Sequence, residues 1–390
     1  MMQKRPPTPP HAGTLTEVVI VGAGPSGLAV AACLRQASIP FILLERSQRI
    51  GAAWHRHYDR LHLHTHKRWS ALPHRPFPRE YPAYPSRQQF IDYLDAYSRQ
   101  FQLQPRFGEH VIVGRFAGDW WQIATDHSTF HARQLVIATG QAGEPNLPRW
   151  HGQEAFSGQI LHSSVYANGA KFRGKRVLVV GFSNSAGEIA LDLWEHGGQP
   201  TLAVRGLVNI LPRDVLGIPG QAISILLANL PARLADLLAA PVVAMTVGRV
   251  QTLGLRQARI GPFEQMHTQG RIPLIDVGTL RAIRTGRIAV RPSIEGFTEH
   301  GVEFSDGRQE AYDAVILATG YRATLPALEC DVGDGVIDTT TLRHPSGRGA
   351  VASRLYFCGY RVSPAGMLHS IAREARAISR QIGRSASTGT

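Results

Sequence analysis

The 390-residue sequence predicts an α/β fold of two parallel-sheet units, the second inserted into the first, on three observations. An apolar strand, a glycine turn and a small-residue helix follow one another in "VVIVGAGPSGLAVAA", residues 18–32. An altered copy of the same device stands in "RVLVVGFSNSAGEIA", residues 176–190. Two further apolar strands end in the same tripeptide, "QLVIATG" at 134–140 and "AVILATGYR" at 314–322. Buried β-branched runs followed by turn and helix are the mark of Rossmann-like, doubly wound units.

In the first copy Gly22 permits the tight turn, Gly24 lets the backbone approach a pyrophosphate, and Gly27 allows close helix–strand packing. Ala23, Pro25 and Ser26 complete the turn, and the amides that open the helix face the phosphates. A second strand, "FILLE", ends at Glu45 about 20 residues on, followed by Arg46. An acid at that point accepts from a ribose hydroxyl, so this cradle suits a dinucleotide with a free ribose, such as FAD.

In the second copy Gly181, Phe182, Ser183, Asn184, Ser185 and Ala186 form the turn, with Ser183 where a second glycine is expected. Its hydroxyl is a candidate partner for a phosphate oxygen. The helix runs to Gly197–Gly198, and the strand "TLAVR" ends on Arg205, within one position of the offset Glu45 holds in the first copy. A guanidinium pairs with a 2′-phosphate where a carboxylate would repel it, so this cradle suits NADPH over NADH. A chain that holds both passes hydride from nicotinamide to flavin. A decayed duplicate kept as scaffold is the bland alternative.

The ATG strands, with Gly140 and Gly320, return the chain between the two units. The expected division is residues 1–16 as a flexible tail, 17–150 and 310–384 as the FAD unit, and 151–309 as the NADPH unit. "LYFCG" is the last strand of the FAD unit, with a helix from about Met367. A helical insertion is expected near 215–255, because the apolar stretch 222–247 is interrupted by Pro231, Arg233, Asp236 and Pro241. Two short helices over a pocket fit it better than a membrane span; membrane contact is not expected, with shallow attachment to a membrane surface as the alternative.

Composition narrows the function. Hydrophobic content of 43% and charged content of 18% are those of a globular enzyme. The net charge of +13 comes from scattered arginines without a basic run or nucleic-acid motif, which points to acidic small ligands and not to nucleic acid. Cys33, Cys330 and Cys358 lie far apart, and no C-x-x-C exists, so neither a redox pair nor a zinc ribbon is available. The absence of an apolar leader and the cysteine usage predict a cytoplasmic protein. Oligomeric state is left open.

Between the copies, "FSGQILHSSVY" places Phe156, Gly158, His162 and Tyr166 in the spacing F-x-G-x-x-x-H-x-x-x-Y. This resembles the signature of class B flavin-containing monooxygenases; the related Baeyer–Villiger enzymes usually end it with Trp. Over nearly the whole chain the resemblance is closest to the YUCCA branch, carried also by "YDRLHLHTHKRW", "KFRGKRVLVVG", "LPRDVLG", "GPFE" and "ILATGYR". It implies FAD, NADPH and dioxygen as reactants. It also implies a flavin hydroperoxide shielded from water by retained NADP, and conversion of indole-3-pyruvate to indole-3-acetate.

On the resemblance, Trp54 and the Gly51 turn lie beside the flavin ring, and His64 and Lys67 are the candidate catalytic residues at the reacting face. Lys67 would stabilise a peroxide or a substrate carboxylate. His64 stands where animal-type members carry asparagine and YUCCA members carry histidine. His162 and Tyr166 would hold the linker and NADP. The alternation in "LHLHTH" puts His62, His64 and His66 on one face of a strand, a zinc-like set. No carboxylate supports it, and no metal is expected. An oxygenase of amines or thioethers, a reductase without oxygenase activity and a non-catalytic flavin sensor stay open as alternatives.

Overall fold

A computed structural model describes residues 14–329 and 354–387. Its first sheet is centred on Thr14–Val21, whose residues Val18–Ile20 are wholly buried. Phe41–Glu45 pairs with it in parallel on one side and Thr129–Ile137 on the other. Arg106–Phe107 extends one edge, and Leu355–Phe357 returns in parallel beside Thr129–Ile137. The antiparallel strands Val111–Ala117 and Trp120–Thr125 follow, and Ala327–Glu329, parallel to Val111–Ala117, completes the sheet.

Two helices pack together against this sheet. Pro25–Gln36 carries proline in its first turn, where no amide is lost from the helix, and "GLAVAACL" is buried throughout. Met367–Ser387 closes over it, with Leu368, Ile371, Ala375, Ile378 and Ile382 joining the same core. Alanines on the first helix let the two axes approach closely, and burial of this face stabilises the junction by about 25 cal/mol per Å² of apolar surface.

The second sheet has five strands in the order Ala289–Arg291, Gln199–Ala203, Arg176–Val180, Ala314–Leu317, Gln159–His162, all parallel. Ala314–Leu317 is therefore a strand of the second unit. This corrects the expected return of the first unit at 310: the second extends to about 320. Every residue of "AVIL" is buried between two parallel neighbours, a slot that only an all-apolar strand fills. A second correction concerns the tail, since Thr14–Thr16 already belong to the first strand, paired with Phe130–Ala132. The rest of the tail, and Cys330, lie outside the described residues.

The insertion forms a small hairpin, Asp214–Val215 with Ile218–Pro219, then helices Gly220–Leu227 and Ala232–Thr246. Pro241 is inside the second helix. Asp236 faces a third helix, Pro262–Gln269, and accepts from the amides of Phe263 (2.8 Å) and Glu264 (2.9 Å). That satisfies two of the orphan donors of a helix N-terminus and fixes the helices against each other. Among the described residues no helix is long and apolar enough to cross a membrane.

Candidate active site

The two glycine turns are built on the same backbone pattern. Gly22 N–H donates to Leu44 C=O (2.7 Å), and Ala138 N–H donates to Val21 C=O (2.9 Å). In the second unit Gly181 N–H donates to Ala203 C=O (2.9 Å), and Ala318 N–H donates to Val180 C=O (3.0 Å). Each turn glycine has φ beyond +100° and lies against its ATG strand. A Cβ would stand 2.6 Å from Ala138 O at Gly22 and 2.7 Å from Ala318 O at Gly181. Only glycine meets both demands.

The remaining glycines of the first turn differ in kind. A Cβ on Gly27 would fall 1.8 Å from Gly22 O, so this glycine is required by the fold. A Cβ added at Gly24 would meet no atom within 4 Å, and the residue lines a cavity. Bare backbone facing open space is what a close-lying pyrophosphate needs.

That cavity has a volume of about 860 Å³. Gly22, Gly24, Pro25, Ser26, Glu45 and Arg46 line it from the first turn and its second strand, together with Gly51, Trp54, His57, His64 and Gly140. Ile223, Leu227, Leu238, Val242, Phe263 and Met266 of the insertion form an apolar wall. Glu45 is buried, and its carboxylate accepts from the amides of Ala23 (2.8 Å) and Ser47 (2.9 Å). The acid thus fixes the turn through both carboxylate oxygens. Trp54 is held edge-on against Phe90 at 4.2 Å between centroids. Burial, with the charges of Arg56 and Arg87, pushes the His57 imidazole down to about 4, so it is neutral at physiological pH.

In the second turn Ser183 caps the helix Asn184–Glu195, its Oγ accepting from Ala186 N–H at 3.4 Å. The hydroxyl proton is left to donate. Asn184 reaches the cavity, and its Oδ1 accepts from Ile275 N–H at 2.7 Å. Ser185 stands beside the buried Tyr58. Arg205 is exposed just past its strand, with its carbonyl accepting from Arg256. Apart from Asn184 the residues of this turn lie outside the cavity, as do Ala23 and Gly27.

Other expectations are corrected. Lys67 does not line the cavity; its ammonium donates to the carbonyls of Pro78 (3.4 Å), Arg79 (2.8 Å) and Tyr81. All three donors of the ammonium are thereby spent on one loop. Lys67→Met is expected to cost about 1–2 kcal/mol of stability, read as a lower Tm, with the oxygenation rate of the folded enzyme unchanged; a selective loss of that rate at unchanged Tm would restore Lys67 as a catalytic candidate.

His162 is likewise engaged, with Nδ1 at 3.0 Å from Ser164 Oγ and Nε2 at 3.1 Å from Gly320 O. It fastens the crossing between the units and does not face the cavity, and burial lowers its pKa. Gly320, which supplies that carbonyl, is also outside the cavity. Tyr166 is buried and donates to Asp192 Oδ2 at 2.6 Å, bracing the helix of the second turn. The three rings of "LHLHTH" do not share a strand face. His62 Nδ1 meets Arg60 O (2.7 Å), His64 Nε2 meets Glu188, and His66 Nδ1 accepts from Arg68 N–H (3.1 Å). No metal-ligating cluster occurs among the described residues.

Three residues of the site have no sequence signal. His57 faces the cavity from a loop, and Gln221 accepts from His66 N–H (2.8 Å) while donating to Ala365 O (2.8 Å). Glu188 is buried on the helix of the second turn and reaches His64.

Comparison with known proteins agrees with this frame. Residues 19–211 match the family "pyridine nucleotide-disulphide oxidoreductase", a span that holds both turns. Indole-3-pyruvate monooxygenase YUCCA1 of Oryza sativa subsp. japonica is 44% identical over 321 residues, 81% of this chain and 79% of that protein. YUCCA6 of Arabidopsis thaliana, of the same description, is 44% identical over 323 residues, 80% of this chain and 78% of that protein. Among solved structures, the flavin-containing monooxygenase of Stenotrophomonas maltophilia superposes with a TM-score of 0.72 at 25% identity, covering 96% of this chain and 99% of that one. A cyclohexanone monooxygenase of Rhodococcus sp. Phi1 bound to NADP+ gives 0.70 at 17% identity, covering 96% and 85%, and shares the fold. The chain belongs to the class B flavin-containing monooxygenases, alongside the YUCCA enzymes, and is an FAD- and NADPH-dependent monooxygenase.

Proposed function

We propose that the chain oxygenates a small, largely apolar 2-oxo acid of the indole-3-pyruvate kind, releasing its carboxyl group as carbon dioxide. The observation that carries this reading is the 44% identity, over about four-fifths of the chain, to enzymes described as indole-3-pyruvate monooxygenases. The cavity supports it, because one continuous space joins the first glycine turn to an apolar wall able to take an aromatic side chain.

The residues present fit the cofactors. Gly22, Gly24 and Ser26 would take the FAD pyrophosphate, Glu45 and Arg46 its adenosine end, and Gly51, Trp54 and Gly140 would line its further course. Gly181, Ser183, Asn184, Ser185 and Ala186 would hold the NADPH phosphates, with Phe182 backing the turn and Arg205 pairing with the 2′-phosphate. Bound together, the two cofactors supply hydride transfer and the activation of dioxygen. The protein's own part is to position and to exclude water. His64 presents a ring to the cavity, and Arg56 lines it without an ion pair among the described residues, offering a guanidinium to the substrate carboxylate.

The balance is one 2-oxo acid, one dioxygen, one NADPH and one proton giving the shortened acid, carbon dioxide, water and NADP+. Indole-3-pyruvate, phenylpyruvate and a thioether, each incubated with NADPH under ¹⁸O-labelled dioxygen, separate the readings. The expected result is carbon dioxide release and one labelled oxygen in the shortened acid. Sulfoxide from the thioether with no carbon dioxide from either oxo acid would overturn it.

A further inference from the structure

The helix that follows the second glycine turn carries a carboxylate with no place in the nucleotide cradle. Glu188 lies one turn into Asn184–Glu195, and its side chain is 3% exposed. Its Oε1 contacts Nε2 of His64, and its Oε2 lies 3.8 Å from an Arg60 guanidinium nitrogen. Glu188 does not line the cavity, whereas His64 does. A carboxylate buried behind the ring thus joins the helix of one cradle to the wall of the space that serves the other.

We infer that Glu188 is a positioning residue for His64, which accepts from its Nε2–H and leaves Nδ1 as the nitrogen offered to the cavity. An ionised carboxylate can only accept, so the ring nitrogen that faces it has to carry the proton. In the neutral ring this fixes the tautomer, with a lone pair on Nδ1. Among the described residues Nδ1 has no hydrogen-bond partner, so it is free for a substrate or a water in the cavity. Arg60 balances the second carboxylate oxygen, and that guanidinium is itself held by Glu195 at 2.7 Å and 3.0 Å. Tyr58 stands near the same carboxylate and near Ser185, one turn earlier on the helix. A nucleotide seated on Ser183–Ala186 and the orientation of His64 are therefore set by the same helical turn. The inference rests on the proposed place of His64 in the reaction cavity, but its primary readout does not involve a substrate.

The experiment is ¹⁵N NMR of the histidine rings in the holoenzyme labelled at histidine, with the His64 signals identified by their loss in His64→Gln. The expected wild-type spectrum has the Nε2–H tautomer for the neutral ring; the Nδ1–H tautomer would overturn the inference without any variant at Glu188. In Glu188→Gln the amide can donate or accept, so a mixture of tautomers is expected, with oxygen transfer per NADPH falling on the order of tenfold, the worth of one charge-assisted hydrogen bond, and peroxide rising in its place. Glu188→Asp should recover part of the Nε2–H signal and of the coupling. A Glu188→Gln enzyme with normal flavin content, the wild-type tautomer and wild-type coupling would also overturn it. Failure of every 2-oxo acid substrate with the tautomer as expected would instead count against the proposed reaction alone.

Discussion

Gly24→Val is expected to give a folded protein without flavin colour. The backbone at Gly24 is extended, at φ −80° and ψ −174°, which valine adopts freely. Nothing of the protein lies within 4 Å of the new Cβ, so the fold has no clash to relieve. The branched side chain instead fills the space where the pyrophosphate would run against bare backbone and the first amides of the helix. Flavin content should fall to near zero while circular dichroism and Tm stay those of the apoprotein. Gly27→Ala is the contrasting control, since a methyl 1.8 Å from the Gly22 carbonyl oxygen must push strand from helix and unfold the unit. A yellow Gly24→Val protein would place the flavin elsewhere.

The second large effect is on nucleotide choice. Arg205→Ser should lower the preference for NADPH over NADH by about 10- to 100-fold, the worth of one or two charge-assisted hydrogen bonds to a phosphate. The loss should be in NADPH, with NADH little changed, because Arg205 is exposed and no part of the core depends on its side chain. Steady-state kinetics with both nucleotides measures it. An unchanged ratio would move the 2′-phosphate to another arginine, of which Arg256, already bonded to the Arg205 carbonyl, is the nearest candidate.

Both predictions come from features legible in the sequence, and the reason is physical. A parallel strand buried on both faces, a turn that excludes Cβ and a small-residue helix leave a local pattern, and the structure repeats its backbone hydrogen bonds in both units. The break between the two helices of the insertion was readable at Pro231, which stands at the start of the second, whereas Arg233, Asp236 and Pro241 lie inside that helix and do not interrupt it. What was hidden depends on contacts between distant segments. "AVIL" is as apolar as a strand of either sheet, and only the order of pairing puts Ala314–Leu317 beside Arg176–Val180. Lys67 reads as a free charge because its acceptors are the carbonyls of a loop around Pro78–Tyr81, which have no side-chain signature. The alternation of "LHLHTH" suggests a strand, yet the chain there turns toward Ser86, Glu188 and Gln221 in succession, each ring or amide finding its own partner. Glu45 was legible as an acid closing the second strand but not as the clasp of its own turn.

The most direct test of the account is anaerobic mixing of the purified, flavin-loaded protein with NADPH, followed by the flavin absorbance. Two cradles serving one electron route predict rapid bleaching by NADPH, slower bleaching by NADH, and recovery of the colour when oxygen is admitted. A protein that takes up FAD but stays oxidised with NADPH would contradict it.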